Sequence, residues 1–335
     1  DKINCYLRVN SFFFHKFFNK FFPKNKFEKF FDDNKIDLIF FLNASQYIQY
    51  IENINFIVNI PDVSHRKNLE FPEIRNNSEF EIRERIYKNF LPKAFSIITN
   101  SESIKEDLIR YYKLDNNRID IISHQPSEQI TNFQYDKKKA MDIKKKFGLP
   151  KNYVFYPAQY WAHKNHKLII DSIKFLNDKK KLDFYAIFSG HDKGNLKYLK
   201  DYCNRINISK NVIFMNFLEE DDMGYFYKMS SSLVMPSYFG PTNIPPLEAF
   251  FLGVPSIYLD NHFNRQEFGD SLYYVKPNNA EHMAHAINLV KDDHKLRESL
   301  IKNGYEKLDQ LTKNKAENLL PEIFNRYFKI QETWK

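Results

Sequence analysis

Two residues stand where a chain most easily builds an anion site, each near the entry to a helix. Lys164 belongs to Tyr156-Pro-Ala-Gln-Tyr-Trp-Ala-His-Lys-Asn-His166, which follows a strand-like run and precedes a helical pattern. A lysine there can meet a pyrophosphate that the free N–H groups of the helix start also hold. Glu248 belongs to Met235-Pro-Ser-Tyr-Phe-Gly-Pro-Thr-Asn-Ile-Pro-Pro-Leu-Glu-Ala-Phe-Phe-Leu-Gly-Val-Pro255. It falls in the first turn of a helix expected from about Pro246. A carboxylate beside a phosphate-binding helix start suits a sugar hydroxyl. Alone, Lys164 would read as a surface lysine; its strand–loop–helix setting makes it a ligand-binding candidate.

A third candidate is the pair Asp62 and His65. An aspartate beside a histidine in a cleft can orient the ring and hold it charged, so His65 is expected to touch a substrate. The plainer alternative is that Asp62 caps a turn and His65 is scaffold. Arg66 and Glu73 are expected to pair with each other. His124 could face a cleft, although a single histidine is more often scaffold. His163 and His166 flank Lys164 at a spacing of three, but no third ligand lies near, so a metal is not expected.

The elements that would carry these residues alternate. Strands are expected at Asp37–Leu42, Phe56–Ile60, Ser96–Thr99, Ile119–Ile122, Tyr153–Tyr156, Phe184–Phe188, Val212–Phe217, Leu233–Met235 and Ser256–Leu259. Helices are expected between and after them, at Ser78–Phe90, Ser103–Tyr112, His166–Leu176, Leu196–Arg205, Met223–Met229, Pro246–Leu252, Ala280–Val290 and His294–Leu311. Ser103 and Glu106 form a capping-box spacing. Short apolar strands alternating with helices predict parallel, doubly wound sheets. The polar, Lys-rich stretch 131–151 is the expected domain boundary. This gives a first domain at 1–150, a second domain at 151–312, and a terminal helix at 313–335 packing back on the first domain.

The 335 residues suit two domains, and 43% hydrophobic content can fill their cores. No apolar run approaches the roughly 18 residues of a membrane span, and none resembles a signal peptide. The only two cysteines, Cys5 and Cys203, form no metal spacing and fit a reducing, cytoplasmic setting. The net charge of +8 admits a phosphorylated substrate or an anionic surface. Without an aromatic RNA-binding signature or a zinc finger, nucleic acid is not an expected partner. Residues 11–31 interleave ten phenylalanines with lysines and could lie on an anionic membrane; Pro23 interrupts the helix, and core packing is the alternative. Among 8 glycines the first is Gly148. A doubly wound domain usually opens on a Gly-rich turn, so its first strand–helix unit is either built without glycine or, as the favoured expectation, missing.

Tyr156–His166 and Met235–Pro255 resemble two motifs of the retaining glycosyltransferases of family 4. Ile60-Pro-Asp-Val-Ser-His-Arg66, Phe71-Pro-Glu-Ile-Arg75 and Glu79-Phe-Glu-Ile-Arg-Glu-Arg85 resemble an acceptor-side region of one branch, and Asn100–Leu108 the segment that follows. The resemblance runs from about Asp37 to about Leu289. It implies an α/β, GT-B fold of two Rossmann-like domains facing across a cleft. Lys164 would contact the diphosphate, with Gln159 and His163 beside it. Glu248 would hold the ribose. Gly240, Pro241, Thr242, Asn243 and Ile244 would lie under the donor sugar and phosphates. The chain departs from the pattern where Gly240 replaces a glutamate, Ala158 an arginine and Pro61 a histidine. Sugar recognition would then rest on backbone groups or on Thr242 and Asn243.

The resemblance implies transfer of a hexose from a nucleoside diphosphate sugar to a glycan or lipid-linked hydroxyl, with retention and without a metal cofactor. The expected setting is bacterial surface polysaccharide assembly, such as lipopolysaccharide, at the inner face of the plasma membrane. No second carboxylate is placed as a nucleophile, unlike the paired acids of glycosidases, which favours front-face substitution. Two rivals remain at this stage. An epimerase would interconvert or hydrolyse the donor without an acceptor. An inactive assembly module would bind no nucleotide sugar.

Overall fold

The computed structural model describes residues 24–240 and 244–334. Two parallel sheets organise it. The first has four strands in the order β1 (Leu38–Phe41), β2 (Asn55–Asn59), β3 (Ser96–Thr99) and β4 (Ile119–Ile121). The second contains β5 (Tyr153–Pro157), β6 (Tyr185–Ser189), β7 (Val212–Met215), β8 (Ser232–Met235), β9 (Ser256–Leu259) and β10 (Tyr273–Val275). Its order is β10-β9-β8-β5-β6-β7, parallel throughout. The strands β3, β8 and β9 are buried along their whole length, as parallel strands covered on both faces must be. The expected α/β architecture with two parallel sheets is therefore what the chain adopts; among the described residues only the second sheet is doubly wound, the first running in sequence order.

In the second sheet the winding reverses between β5 and β8, which pair through Val154 with Ser232 and Phe155 with Leu233. The loops leaving these two strands flank the usual ligand position in such sheets. Lys164 lies on the first of these loops and Gly240 on the second. Gly190, after β6, presses on the first: a Cβ there would sit 2.5 Å from the Ala158 carbonyl oxygen. Only a glycine lets the two loops approach so closely.

Three parts of the organisation differ from expectation. The Lys-rich stretch 131–151 is no linker, because Lys137–Phe147 is a helix. Asp136 caps its start by accepting the Lys139 N–H at 2.6 Å, and Gly148, with φ +61°, ends it. Ala140 and Ile143 bury its one apolar face in the larger core, which takes in Ile130 and Leu149 as well. The helix at Glu102–Tyr112 is capped by Ser101, which accepts from the Ile104 N–H, and not by Ser103, which is already inside it. The edge strand β10 was not expected from the sequence.

The terminal helix Ala316–Gln331 packs Leu320, Ile323 and Phe324 against Leu38, Ile57 and Ile98 of the first sheet. Arg326 pairs with Asp120 at 2.5 Å, and the Tyr327 hydroxyl donates to the Asp37 carbonyl at 2.8 Å. Of the Phe/Lys-rich segment 11–31, residues 11–23 lie outside the described residues. The remainder joins the helix Lys24–Asp33, where Phe31 is buried and Phe27 stacks on Tyr47 at 5.6 Å. Glu28, on the same helix, accepts the backbone N–H groups of Glu52, Asn53 and Ile54.

The first domain is knotted together by Glu84. Its buried carboxylate accepts from Arg66 Nε at 2.6 Å and Tyr112 at 2.5 Å, and pairs with Lys88 at 2.9 Å. Burial alone would raise this carboxyl; hydrogen bonds from Arg66, Tyr112 and Lys88 prevail and hold it at about 2. A carboxyl depressed on folding stabilises the fold above its unfolded value of 4.5, and that contribution drains as pH falls toward 2. Replacing Glu84 by Gln strands the two cations, so Glu84→Gln should cost about 3 kcal/mol in denaturant unfolding at neutral pH. The deficit should shrink in the acid range as the wild type loses its own contribution. An unfolding midpoint equal to wild type at neutral pH would contradict this assignment.

Candidate active site

Lys164 ends the short helical turn Ala162–Lys164, and Asn165, with φ +53°, swings the chain into the helix His166–Lys180. The lysine is half-buried, and its ammonium makes no hydrogen bond or ion pair among the described residues. Burial pushes it down to about 8, against the opposing pull of Asp62 and then Glu73 from the first domain. A cation out of water with acids near but none bonded to it is prepared to receive an anion.

Asp62 follows β2 and sits within electrostatic reach of Lys164. Burial would raise its carboxyl; the charge and hydrogen bond of Arg83, 2.7 Å away, and the Ser64 N–H at 2.7 Å win and keep it low. Asp62 thus stays anionic and helps hold the proton on Lys164. It does not orient His65. That ring is fully buried, with Nε2 3.1 Å from Glu84 and 2.9 Å from the Tyr112 hydroxyl. Burial and the Arg83 charge drive His65 down to about 4, so it is neutral near pH 7. A histidine with no exposed surface cannot touch a substrate, and the expected contact is corrected to a scaffold role. The expected Arg66–Glu73 pair is also absent, since Arg66 is committed to Glu84.

Glu73 reaches instead across to the second domain. It accepts the His163 backbone N–H at 3.0 Å and contacts the ring Nδ1. The His163 ring stacks on Phe239 at 4.0 Å and 16°. Burial, then the adjacent Lys164 charge, hold this imidazole below its ordinary value, with Glu73 opposing. The His163 carbonyl also accepts the Tyr238 N–H at 3.0 Å, joining the loop after β5 to the loop after β8. Gln159 is exposed, and its side-chain oxygen accepts from Trp161 Nε1 at 2.9 Å. His166 is buried among Tyr156, Tyr160 and Phe188, where burial takes it to about 3.

Glu248 lies within the helix Ile244–Phe251 and is buried. One carboxylate oxygen accepts the Ser127 hydroxyl at 2.7 Å and the other the Tyr227 hydroxyl at 2.8 Å. Tyr227 is fully buried, so the acid is fixed from below, while Ser127 comes from the crossover between the domains. Gly240 has φ +95°, a backbone that a side chain would strain. Ile244 opens the helix and is exposed. Pro241, Thr242 and Asn243 lie outside the described residues. His124, after β4, meets the Asn100 amide. No group of three acidic, histidine or cysteine residues is placed to hold a metal among the described residues.

Glu73, Phe239, Ser127 and Tyr227 were missed as site residues. Only Glu73 had a sequence signal, its place in Phe71-Pro-Glu. The lysine's titration can be read directly. Reductive methylation with a carbon-13 label should give a Lys164 resonance titrating near pH 8, lost in Lys164→Arg. A midpoint near the ordinary lysine value of 10.5 would show that the ammonium is solvated and the site open.

Comparison with known proteins follows from this geometry. The family model described as glycosyl transferases group 1 matches residues 137–307, about half of the chain. An uncharacterized glycosyltransferase of Methanocaldococcus jannaschii is 22% identical over 244 residues, covering 70% of this chain and 60% of the relative. The O-antigen chain mannosyltransferase B of Escherichia coli is 21% identical over 267 residues, 76% of this chain and 66% of the relative. The chain thus spans under two thirds of the length of these relatives. Anabaena Alr3699/HepE, solved in complex with UDP, superposes with a TM-score of 0.71 at 14% identity, covering 90% of this chain and 82% of that one. This likeness establishes the GT-B fold.

Proposed function

The chain belongs to the glycosyl transferases group 1 family, and on that premise we propose that it is a retaining enzyme of glycosyltransferase family 4. It moves a hexose from a nucleoside diphosphate sugar to a hydroxyl of a glycan or lipid-linked acceptor. The observation that carries this reading is the half-buried ammonium of Lys164, unpaired among the described residues, at the winding reversal between β5 and β8. The donor diphosphate would bind there, meeting Lys164 and the N-termini of the helices His166–Lys180 and Ile244–Phe251. Glu248 would take the ribose, exchanging its Ser127 contact while Tyr227 keeps the carboxylate in place. The UDP bound to HepE and the name of the O-antigen mannosyltransferase support a nucleotide-linked hexose and a surface polysaccharide acceptor.

Catalysis in this reading is positional and electrostatic. Charge builds on the leaving diphosphate as the glycosidic bond breaks, and Lys164 with the helix N-termini stabilises it. The two acids that face Lys164 are occupied, Asp62 by Arg83 and Glu73 by His163. Neither is free to attack the anomeric carbon, which supports front-face substitution with the departing diphosphate accepting the acceptor proton. The reading assigns neutralisation of the diphosphate to the lysine and helix dipoles and needs no metal cofactor. No helix among the described residues is long and apolar enough to cross a membrane. The proposed setting is the cytoplasmic face of the plasma membrane.

A thermal-shift and calorimetric panel of UDP-, GDP-, dTDP- and ADP-sugars tests the proposal. At least one donor should stabilise the protein. Lys164→Ala should weaken that donor by roughly 10- to 100-fold, the worth of a hydrogen bond to a charged group, and Glu248→Ala should weaken it within the same range. Failure of every donor to bind, or full affinity in Lys164→Ala, would overturn the reading.

A further inference from the structure

The segment Phe71–Arg75 belongs to the first domain, yet its two prominent side chains rest on the second. Pro72 sits at the start of the short helix Pro72–Arg75, which brings Phe71 and Glu73 to the same side of the cleft. Phe71 meets the Phe239 ring edge-on at 5.3 Å, Tyr238 at 5.3 Å and His163 at 6.4 Å. Glu73 binds both the backbone and the ring of His163. Its side chain is 9% exposed and that of His163 10%, so this is a closed, largely dry contact. One ring and one carboxylate therefore grip both loops that flank the ligand position: the loop after β5 through His163 and the loop after β8 through Tyr238 and Phe239.

We infer that Phe71 and Glu73 form a clamp through which the first domain sets the position of Lys164, making Glu73 a positioning residue for the donor diphosphate. The inference rests on the function proposed above. Lys164 is the residue after His163 and its ammonium has no bonded partner among the described residues, so the direction of its side chain is set by how the turn Ala162–Lys164 is held. The clamp holds that turn at its middle residue. It also brings a negative charge near the ammonium. The charged and titratable groups around Lys164 are Asp62 with its partner Arg83, Glu73, His163 and His166. Among them Glu73 alone both bonds the lysine's own loop and acts on its charge. Opening of the cleft would release the turn and remove that charge together, which couples domain closure to affinity for the diphosphate.

The test measures binding of UDP, GDP, dTDP and ADP calorimetrically between about pH 6 and about pH 10 for the full chain and three variants. In the wild type, affinity should fall above about pH 8 as Lys164 loses its proton. Glu73→Gln removes a nearby negative charge, which disfavours protonated Lys164, so the alkaline fall should begin roughly half a unit or more lower. Its affinity at neutral pH should drop about threefold or more. Phe71→Ala keeps the charge and loosens the grip, so affinity should drop without any move of the alkaline fall. This variant keeps the inference testable if Glu73→Gln does not fold. Lys164→Met should lose the alkaline fall altogether. Wild-type affinity and pH profile in both Glu73→Gln and Phe71→Ala would overturn the clamp alone. Absence of binding by all four nucleotides in the wild type, or an unchanged profile in Lys164→Met, would overturn the functional reading and the clamp with it.

Discussion

A single half-buried ammonium organises this molecule. Lys164 has lost enough water to hold its proton less tightly than a free lysine, and no described residue gives it a bonded partner in return. Such a group is costly unless something arrives to pair with it. Everything around it keeps that state from collapsing. Asp62 and Glu73 stand near enough to sustain the charge, but Arg83 and His163 restrain them from closing on it. Because both acids come from the first domain and the lysine from the second, the balance exists only when the two domains meet.

The same logic explains why the two sheets matter beyond their cores. The reversal of winding between β5 and β8 sets the ligand position, and loop-to-loop bonds then give it a floor. Tyr238 bonds to His163, Gly190 lets the next loop press on Ala158, and Tyr227 anchors Glu248 from the core. Ser127 adds a bond from the interdomain crossover to the same glutamate. The site is thus built from second-domain backbone and trimmed by first-domain side chains.

Much of this was legible from residue patterns, and the limits are physical. Parallel strands announce themselves because burial on both faces makes them continuous apolar runs, as in Ser256–Leu259. The helix Lys137–Phe147 did not, because its lysines hide a short stripe of Ala140, Ile143 and Phe147. Lys164 could be picked out because it stands just before a helix start after a strand; Glu248, expected in a first turn, lies in the second turn of the helix, which begins at Ile244. The fate of Asp62 and His65 could not, since whether an Asp–X–X–His pair faces a cleft or a core depends on partners distant in sequence. Here Glu84 and Tyr112 claim the histidine and Arg83 claims the aspartate. The contact from Glu73 to His163 spans ninety residues and two domains, beyond any local pattern.

The most direct measurement is a crystal structure of the protein grown with the nucleoside diphosphate that binds it best. The account predicts diphosphate oxygens within hydrogen-bond distance of Lys164 Nζ, between the ends of β5 and β8, with the Glu73–His163 contact intact. A diphosphate bound elsewhere, with the Lys164 ammonium still unpaired, would contradict it.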